Sequence, residues 1–236
     1  MFLSGSVLSL MCVLVLLHTP SWSTSIDLGS GTRVTVPLQS LKERRDQHVV
    51  KQAYDYSCGA AALATLLTYG LGDQVGEEDV LRFVLRTLSA DEKTERQSQG
   101  LSLLDLQRFA QARGHKAQGF KLAPQYLARL KGPVLVFIKP RGYEHFVVLR
   151  GVRGNRVYLA DPSLGNTRMA VEKFLAMWLD AKGQGIIFVV EPQDRPQTAG
   201  HLLQLPGHGL PQPELLTARQ MLEVGNPYVR FPHLLR

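Results

Sequence analysis

Apolar positions follow a helical period in the first half of the chain and an extended one in the second. Residues 58–69 form an alanine- and leucine-rich run ended by Gly70, which predicts a helix. Residues 79–88 place Val80, Phe83, Val84 and Leu88 on one face of a second, amphipathic helix. Ser102-Leu103-Leu104-Asp105 reads as a capping box, opening a helix that runs to Arg113 and stops at Gly114. Residues 90–100, charged and polar throughout, are expected to form an exposed, solvated loop. Beyond Gly114 the period shortens. Strands are expected at 115–120, 134–139, 145–151, 156–160 and 186–190, with short helices at 124–130 and around Phe174 and Trp178 at 171–179. A further short strand fits 32–36. Helices first and strands afterwards, joined by tight turns such as Gly154-Asn155, make an α+β fold with an antiparallel sheet.

The two ends depart from this pattern. From Val7 to Leu17 only Ser9 is not apolar, and Pro20 and Ser21-Trp22-Ser23 follow. This run is too short to cross a bilayer, which takes about 20 residues, and it fits a secretory signal over residues 1–23. No Lys or Arg precedes it, so retention as an anchor is the alternative. Residues 24–46 form an N-terminal segment. At the other end, residues 192–236 carry seven of the thirteen prolines, and only 214–224 suits a helix. That tail is expected to lean on the domain or on a partner. Once the signal is removed, no stable membrane span is expected.

Charge changes little. The net charge of +7 is spread along the chain apart from Lys42, Arg44 and Arg45, with no aromatic-interleaved basic stripe, so nucleic acid is not an expected partner. Cysteine changes more. Of two cysteines, Cys12 leaves with the signal, and Cys58 then stands alone in a compartment that oxidises thiols. Such a residue is buried and inert, paired with another chain, or reactive. Cys58 opens a predicted helix, whose N-terminus favours a thiolate, and Gln52 stands six residues upstream as a donor for an oxyanion.

A nucleophilic thiol needs a base and a group that orients the base. Of seven histidines, His18 lies in the signal, His201, His208 and His233 in the tail, His48 in a polar stretch, and His115 at the start of an ordinary strand. His145 follows the flexible Arg141-Gly142-Tyr143-Glu144 and opens the apolar run Phe146-Val147-Val148-Leu149. Strands 145–151 and 156–160 form a hairpin. Their outer ends meet, which sets Asp161 beside His145. Asp55 and Glu144 read as structural, Phe174 and Trp178 as core. Paired His or Cys at ligand spacing is lacking, so neither metal nor cofactor is expected.

Three blocks, in this order, carry a resemblance: Gln-x5-Cys-Gly-Ala-Ala-x-Leu, His-Phe-Val-Val-Leu-x-Gly and Tyr-Leu-Ala-Asp-Pro-Ser-x-Gly-Asn. Together they resemble the C39 peptidase family of bacteriocin-processing enzymes, over about residues 47–191. The resemblance implies a papain-like cysteine protease fold, with N-terminal helices packed on the sheet. It implies Cys58 as nucleophile, His145 as base, Asp161 as orienting group and Gln52 in the oxyanion hole. Ser57 departs from the Asp that many members carry before the cysteine. The layout resembles stand-alone exported members, including those of functional amyloid (Fap-type) systems. The implied function is a periplasmic cysteine endopeptidase that processes or clears a secreted polypeptide, with secretion-system components as further partners. Two alternatives stay open: a non-catalytic client-binding module, and a Cys-His-Asp amidase, peptidoglycan hydrolase or transglutaminase-like enzyme.

Overall fold

The computed structural model describes residues 23–27, 33–192 and 202–205. The proposed signal, Cys12, and most of the tail with residues 214–224 lie outside them. The chain divides into two units, Met1–Arg44 and Arg45–Arg236. In the first, β1 (Ser23–Asp27) pairs antiparallel with β2 (Arg33–Pro37), the strand expected near 32–36. Short helix α1 (Leu41–Asp46) carries the division between the units.

The second unit begins its core with α2 (Cys58–Thr65), which continues through a wider turn, Leu66–Gly70. Every residue of α2 is buried. Its alanines explain how: small side chains let a helix press closely on its neighbours from all sides. Next come α3 (Glu77–Thr87) and α4 (Ala90–Gln99). Helix α4 corrects the expected loop at 90–100. It buries nothing, so hydrophobic periodicity gave no sign of it. What builds it is local. Ser89 and Glu92 form a capping box, and the Glu, Lys, Arg and Gln that follow are good helix formers. Helix α5 (Leu103–Ala112) starts at the Ser102 cap and gives way to Gly114 at φ 81°.

Six antiparallel strands follow: β3 (His115–Leu122), β4 (Val134–Ile138), β5 (His145–Arg153), β6 (Arg156–Asp161), β7 (Gly165–Ala170) and β8 (Gly185–Pro192). Their order across the sheet is β3-β8-β4-β5-β6-β7. Strand β7 was not expected, because Gly-Asn-Thr-Arg-Met-Ala carries no apolar alternation. It forms by backbone pairing to β6 along its whole length, at the edge of the sheet. A 3-10 helix at Pro124–Arg129 and α6 (Val171–Trp178) complete the unit.

Alternation along the strands sorts the core into two layers. Leu135, Phe146, Val148 and Phe188 join α2, α3 and α5 on one face. Val136, Val147, Leu149, Leu159 and Ile187 join Phe174 and Trp178 of α6 on the other. Central strands covered on both faces read as the unbroken apolar runs Val-Leu-Val-Phe-Ile and Phe-Val-Val-Leu. From the tail, Leu203 is fully buried in the helical layer, and Arg150 of β5 donates to the Leu202 and Leu203 carbonyls. That stretch leans on the domain as expected.

Candidate active site

Cys58, His145 and Asp161 are all buried, at 6%, 5% and 6% exposure. They arrive from three different elements. Cys58 is the first residue of α2. Ser57 before it does not cap the helix with its side chain. Its Oγ instead donates to the Tyr54 carbonyl at 2.7 Å and accepts from the Tyr54 N–H at 3.1 Å. This knots residues 54–57 into a turn and leaves the first helical N–H groups without a side-chain cap. Gly59 lets the helix approach β5: a Cβ there would lie 3.2 Å from Phe146, the residue after His145.

His145 Nε2 donates to Asp161 Oδ1 at 3.0 Å. The hairpin brings the pair together as expected, but with an additional element. The β5–β6 register shifts between Leu149 and Gly151, so that Leu149 faces Leu159 while Gly151 faces Tyr158. This bulge leaves Arg150 unpaired and reverses the alternation of β5 beyond it. Without it, the pairing Arg153↔Arg156 continued inward would put His145 and Asp161 on opposite faces. Asp161 Oδ1 also accepts the Ser163 and Leu164 N–H groups at 2.8 and 3.1 Å. Burial pushes its carboxyl up, but the bond and charge of His145 and these two amides outweigh it and hold Asp161 below the usual carboxylate range. For His145, burial works against the charged form. Asp161 and then Cys58 overcome it and raise the imidazole to about 9. Its Nδ1 is buried with no hydrogen-bond partner, so this nitrogen is the one left for the sulfur.

Gln52 belongs to the same network. Its Oε1 accepts from Ser163 Oγ at 2.9 Å, and its Nε2 donates to the Tyr54 carbonyl at 3.0 Å. A carbonyl only accepts, so these two bonds fix which end of the amide faces the Tyr54–Ser57 turn. Nε2 keeps its second hydrogen. The Gln52 N–H donates to Pro162 O at 3.2 Å, and Lys51 Nζ to Ser163 O at 2.6 Å. One short turn, residues 161–164, thus holds both the imidazole and the glutamine. Gly165 ends that turn at φ 82°, and a Cβ there would lie 2.5 Å from the Asp46 carboxylate.

Sequence reasoning missed several supports. Both carboxylate oxygens of buried Glu77 accept the Ala53 N–H, at 3.0 and 3.1 Å. Tyr143 Oη donates to the Asp55 carbonyl at 2.9 Å, joining the loop before His145 to the turn before Cys58. Burial, then the charges of Cys58 and Asp55, hold the Tyr143 phenol above its ordinary value, so it remains a donor. The bond uses the Asp55 backbone, and Asp55 also lines one of the cavities beside Cys58. Glu144 pairs with Lys139 at 2.8 Å and also lines two cavities beside Cys58, of about 390 and 430 Å³. The end of α4 supplies Gln99 and Gly100 to both cavities. It is anchored there by Arg96 Nε donating to the buried Asp105 carboxylate at 2.6 Å. Among the described residues, no group of three or more His, Cys, Asp or Glu side chains is arranged to hold a metal.

The Peptidase C39 family profile matches residues 46–195. The chain belongs to the peptidase C39 family. It is a cysteine peptidase, with the helix-on-antiparallel-sheet arrangement of C39 domains. A probable functional amyloid protease, FapD, of Pseudomonas fluorescens is 39% identical over 183 residues, 76% of this chain and 77% of that one. The protein of the same description from Pseudomonas aeruginosa is 38% identical over 200 residues, 85% of this chain and 81% of that one. The solved peptidase domain of Streptococcus ComA, a bifunctional ABC transporter, aligns over 61% of this chain and 98% of that domain, at a TM-score of 0.50 and 24% identity. That likeness concerns the fold alone. Residues 46–195 of this C39 chain take in Gln52, Cys58, His145 and Asp161.

Proposed function

We propose that this C39 peptidase cuts a secreted polypeptide in the periplasm, in the assembly of a functional amyloid, with Cys58 as nucleophile. One observation carries the mechanism: a buried imidazole with one nitrogen tied to a carboxylate and the other free beside a thiol in the first turn of a helix. His145, raised to about 9, is an imidazolium at neutral pH and favours the Cys58 thiolate. The sulfur attacks the scissile carbonyl, and the carbonyl oxygen takes the negative charge. The Cys58 N–H and the second hydrogen of Gln52 Nε2 stabilise that oxyanion. The C–N bond then breaks as His145 gives its proton to the leaving nitrogen, leaving a thioester on Cys58. Neutral His145 takes a proton from water, hydroxide attacks the thioester, and collapse releases the acid and restores the thiolate–imidazolium pair. Asp161 holds the ring in place throughout.

The setting rests on the relatives' names and on the N-terminal sequence. Residues 1–23 act as a cleaved signal, residues 24–46 as a leading segment, 47–191 as the peptidase domain and 192–236 as a tail, with secretion components as partners. Among the described residues, no helix is long and apolar enough to cross a membrane. The test compares wild type with Cys58→Ala. The variant is expected to keep its circular dichroism and thermal midpoint while cleavage of an unfolded polypeptide mixture disappears. Cleavage that survives the substitution would overturn the mechanism. In a producing strain, Cys58→Ala and deletion of the gene should alter fibre formation in the same way. Unchanged fibres would remove the amyloid role and leave the chemistry standing.

A further inference from the structure

We infer that a separate apolar cavity behind His145 is the subsite for the residues following the scissile bond, and that it selects apolar side chains there. This rests on His145 as the general acid. The cavity has a volume of about 740 Å³, within the roughly 300–1,000 Å³ usual for ligand sites. His145 and Asp161 line it and Cys58 does not, whereas the two Cys58 cavities are lined by neither. The sheet explains the separation. His145 and Asp161 share the face of Leu159, and Cys58 belongs to the layer on the other face.

Chemistry assigns the direction. The imidazolium must reach the leaving nitrogen, so the amine half of the substrate departs on the His145 side. The acyl half, bonded to sulfur, stays with the Cys58 cavities. Those two cavities mix the polar Arg96, Glu95, Gln97, Asp55 and Glu144 with the apolar Leu101, Leu103, Phe137, Phe146 and Ile186. The amine-side wall is instead built from Ile138, Leu159, Leu164, Met169, Ala176 and Met177. Leu164 and Tyr143 stand at it 58% and 55% exposed. Covering these side chains takes apolar surface out of water, so an apolar occupant gains by sitting against them. Leu164 is also held in position by its own N–H on Asp161. The buried Thr167 Oγ1 in this wall has no hydrogen-bond partner, leaving it for a backbone group of the bound chain. Exposed Arg141 and Lys173 add positive charge to the lining and disfavour a basic residue there.

The experiment uses the full chain and a degenerate peptide library, with cut sites read by mass spectrometry. Wild type should cut before apolar residues at the first or second following position. Leu164→Lys should move that preference toward acidic residues, with the apolar-to-acidic ratio of kcat/KM falling about 10- to 200-fold, and leave preferences before the bond unchanged. Ala176→Trp, which fills the cavity from α6, should exclude large side chains at the same positions. A peptidyl methyl thioester, which places almost nothing in the cavity, should show the same preferences before the bond with all three proteins. Cut sites with no preference after the bond, or a preference untouched by both variants, would overturn the subsite. Cleavage retained by His145→Ala would overturn the acid assignment instead, so the two failures are distinguishable.

Discussion

Two histidines in this molecule make nearly the same contact and have different surroundings. His115 opens β3 and His145 opens β5; both are buried, both place Nε2 3.0 Å from an aspartate, and both leave Nδ1 without a partner. At His115 the carboxylate is Asp73, which also binds Arg113 through Nε at 3.1 Å and through Nη2. At His145 the carboxylate is shared with two backbone N–H groups, and Cys58 lies alongside. A buried His–Asp pair is therefore no signature of catalysis in itself. The Arg113 pair ties α5 and the start of β3 to the loop before α3. Only the pair that faces a thiol has a proton to exchange with a reacting atom.

The comparison is broken most directly by removing each ring. His145→Ala should lower kcat/KM by about 10³–10⁴-fold, while His115→Ala changes it little and lowers the thermal midpoint instead. Equal losses in both variants would erase the distinction. The carboxylates come next. Asp161→Asn should cost about 10²–10³ in kcat, since the ring loses the acceptor that orients it, against less than about threefold for Asp73→Asn. Gln52→Ala should cost about 10²–10³ in kcat with KM nearly unchanged, the mark of a donor used only when charge develops. A rise in KM alone would make Gln52 a binding residue.

The pH dependence sharpens the contrast further. His145 is raised in the folded state, so its stabilising contribution is fully present below about 6.5 and is lost as pH rises through about 9. Asp161 is lowered, so its contribution is present above about 3.9 and is lost as pH falls through its folded value. Activity should fall on the alkaline side near pH 9, and Asp161→Asn should move that limb to lower pH. Iodoacetamide should label Cys58 faster in wild type than in His145→Ala. The smallest effect belongs to Arg113→Ala. That ion pair is partly exposed, so the expected loss is about 1 kcal/mol or less in a denaturant titration, with kcat unmoved.

Much of this was legible in the linear chain. Gly70 and Gly114 end helices where expected, and the Ser102 box opens α5. The unbroken apolar runs mark strands covered on both faces. Helix α4 escaped notice because a helix with no buried residue leaves no hydrophobic period. Strand β7 escaped because an edge strand formed by backbone pairing needs no pattern of its own. Glu77 and Tyr143 escaped because their partners are backbone groups, which no side-chain motif records.

The sequence by itself determined the chemistry at hand: one thiol at a helix start, a histidine opening a buried strand, and an aspartate sixteen residues later. Local rules suffice for these, since capping, periodicity and turn residues act over a few positions. Only the tertiary structure decided whether His145 and Asp161 share a face. A hairpin of unbroken register would have parted them, and the bulge at Arg150 restored the parity. It also decided that two different walls flank the pair, a mixed polar and apolar one beside Cys58 and a mostly apolar one behind His145. Register and layer are set by long-range packing of a twisted, two-sided sheet, and that information is not held in any single segment.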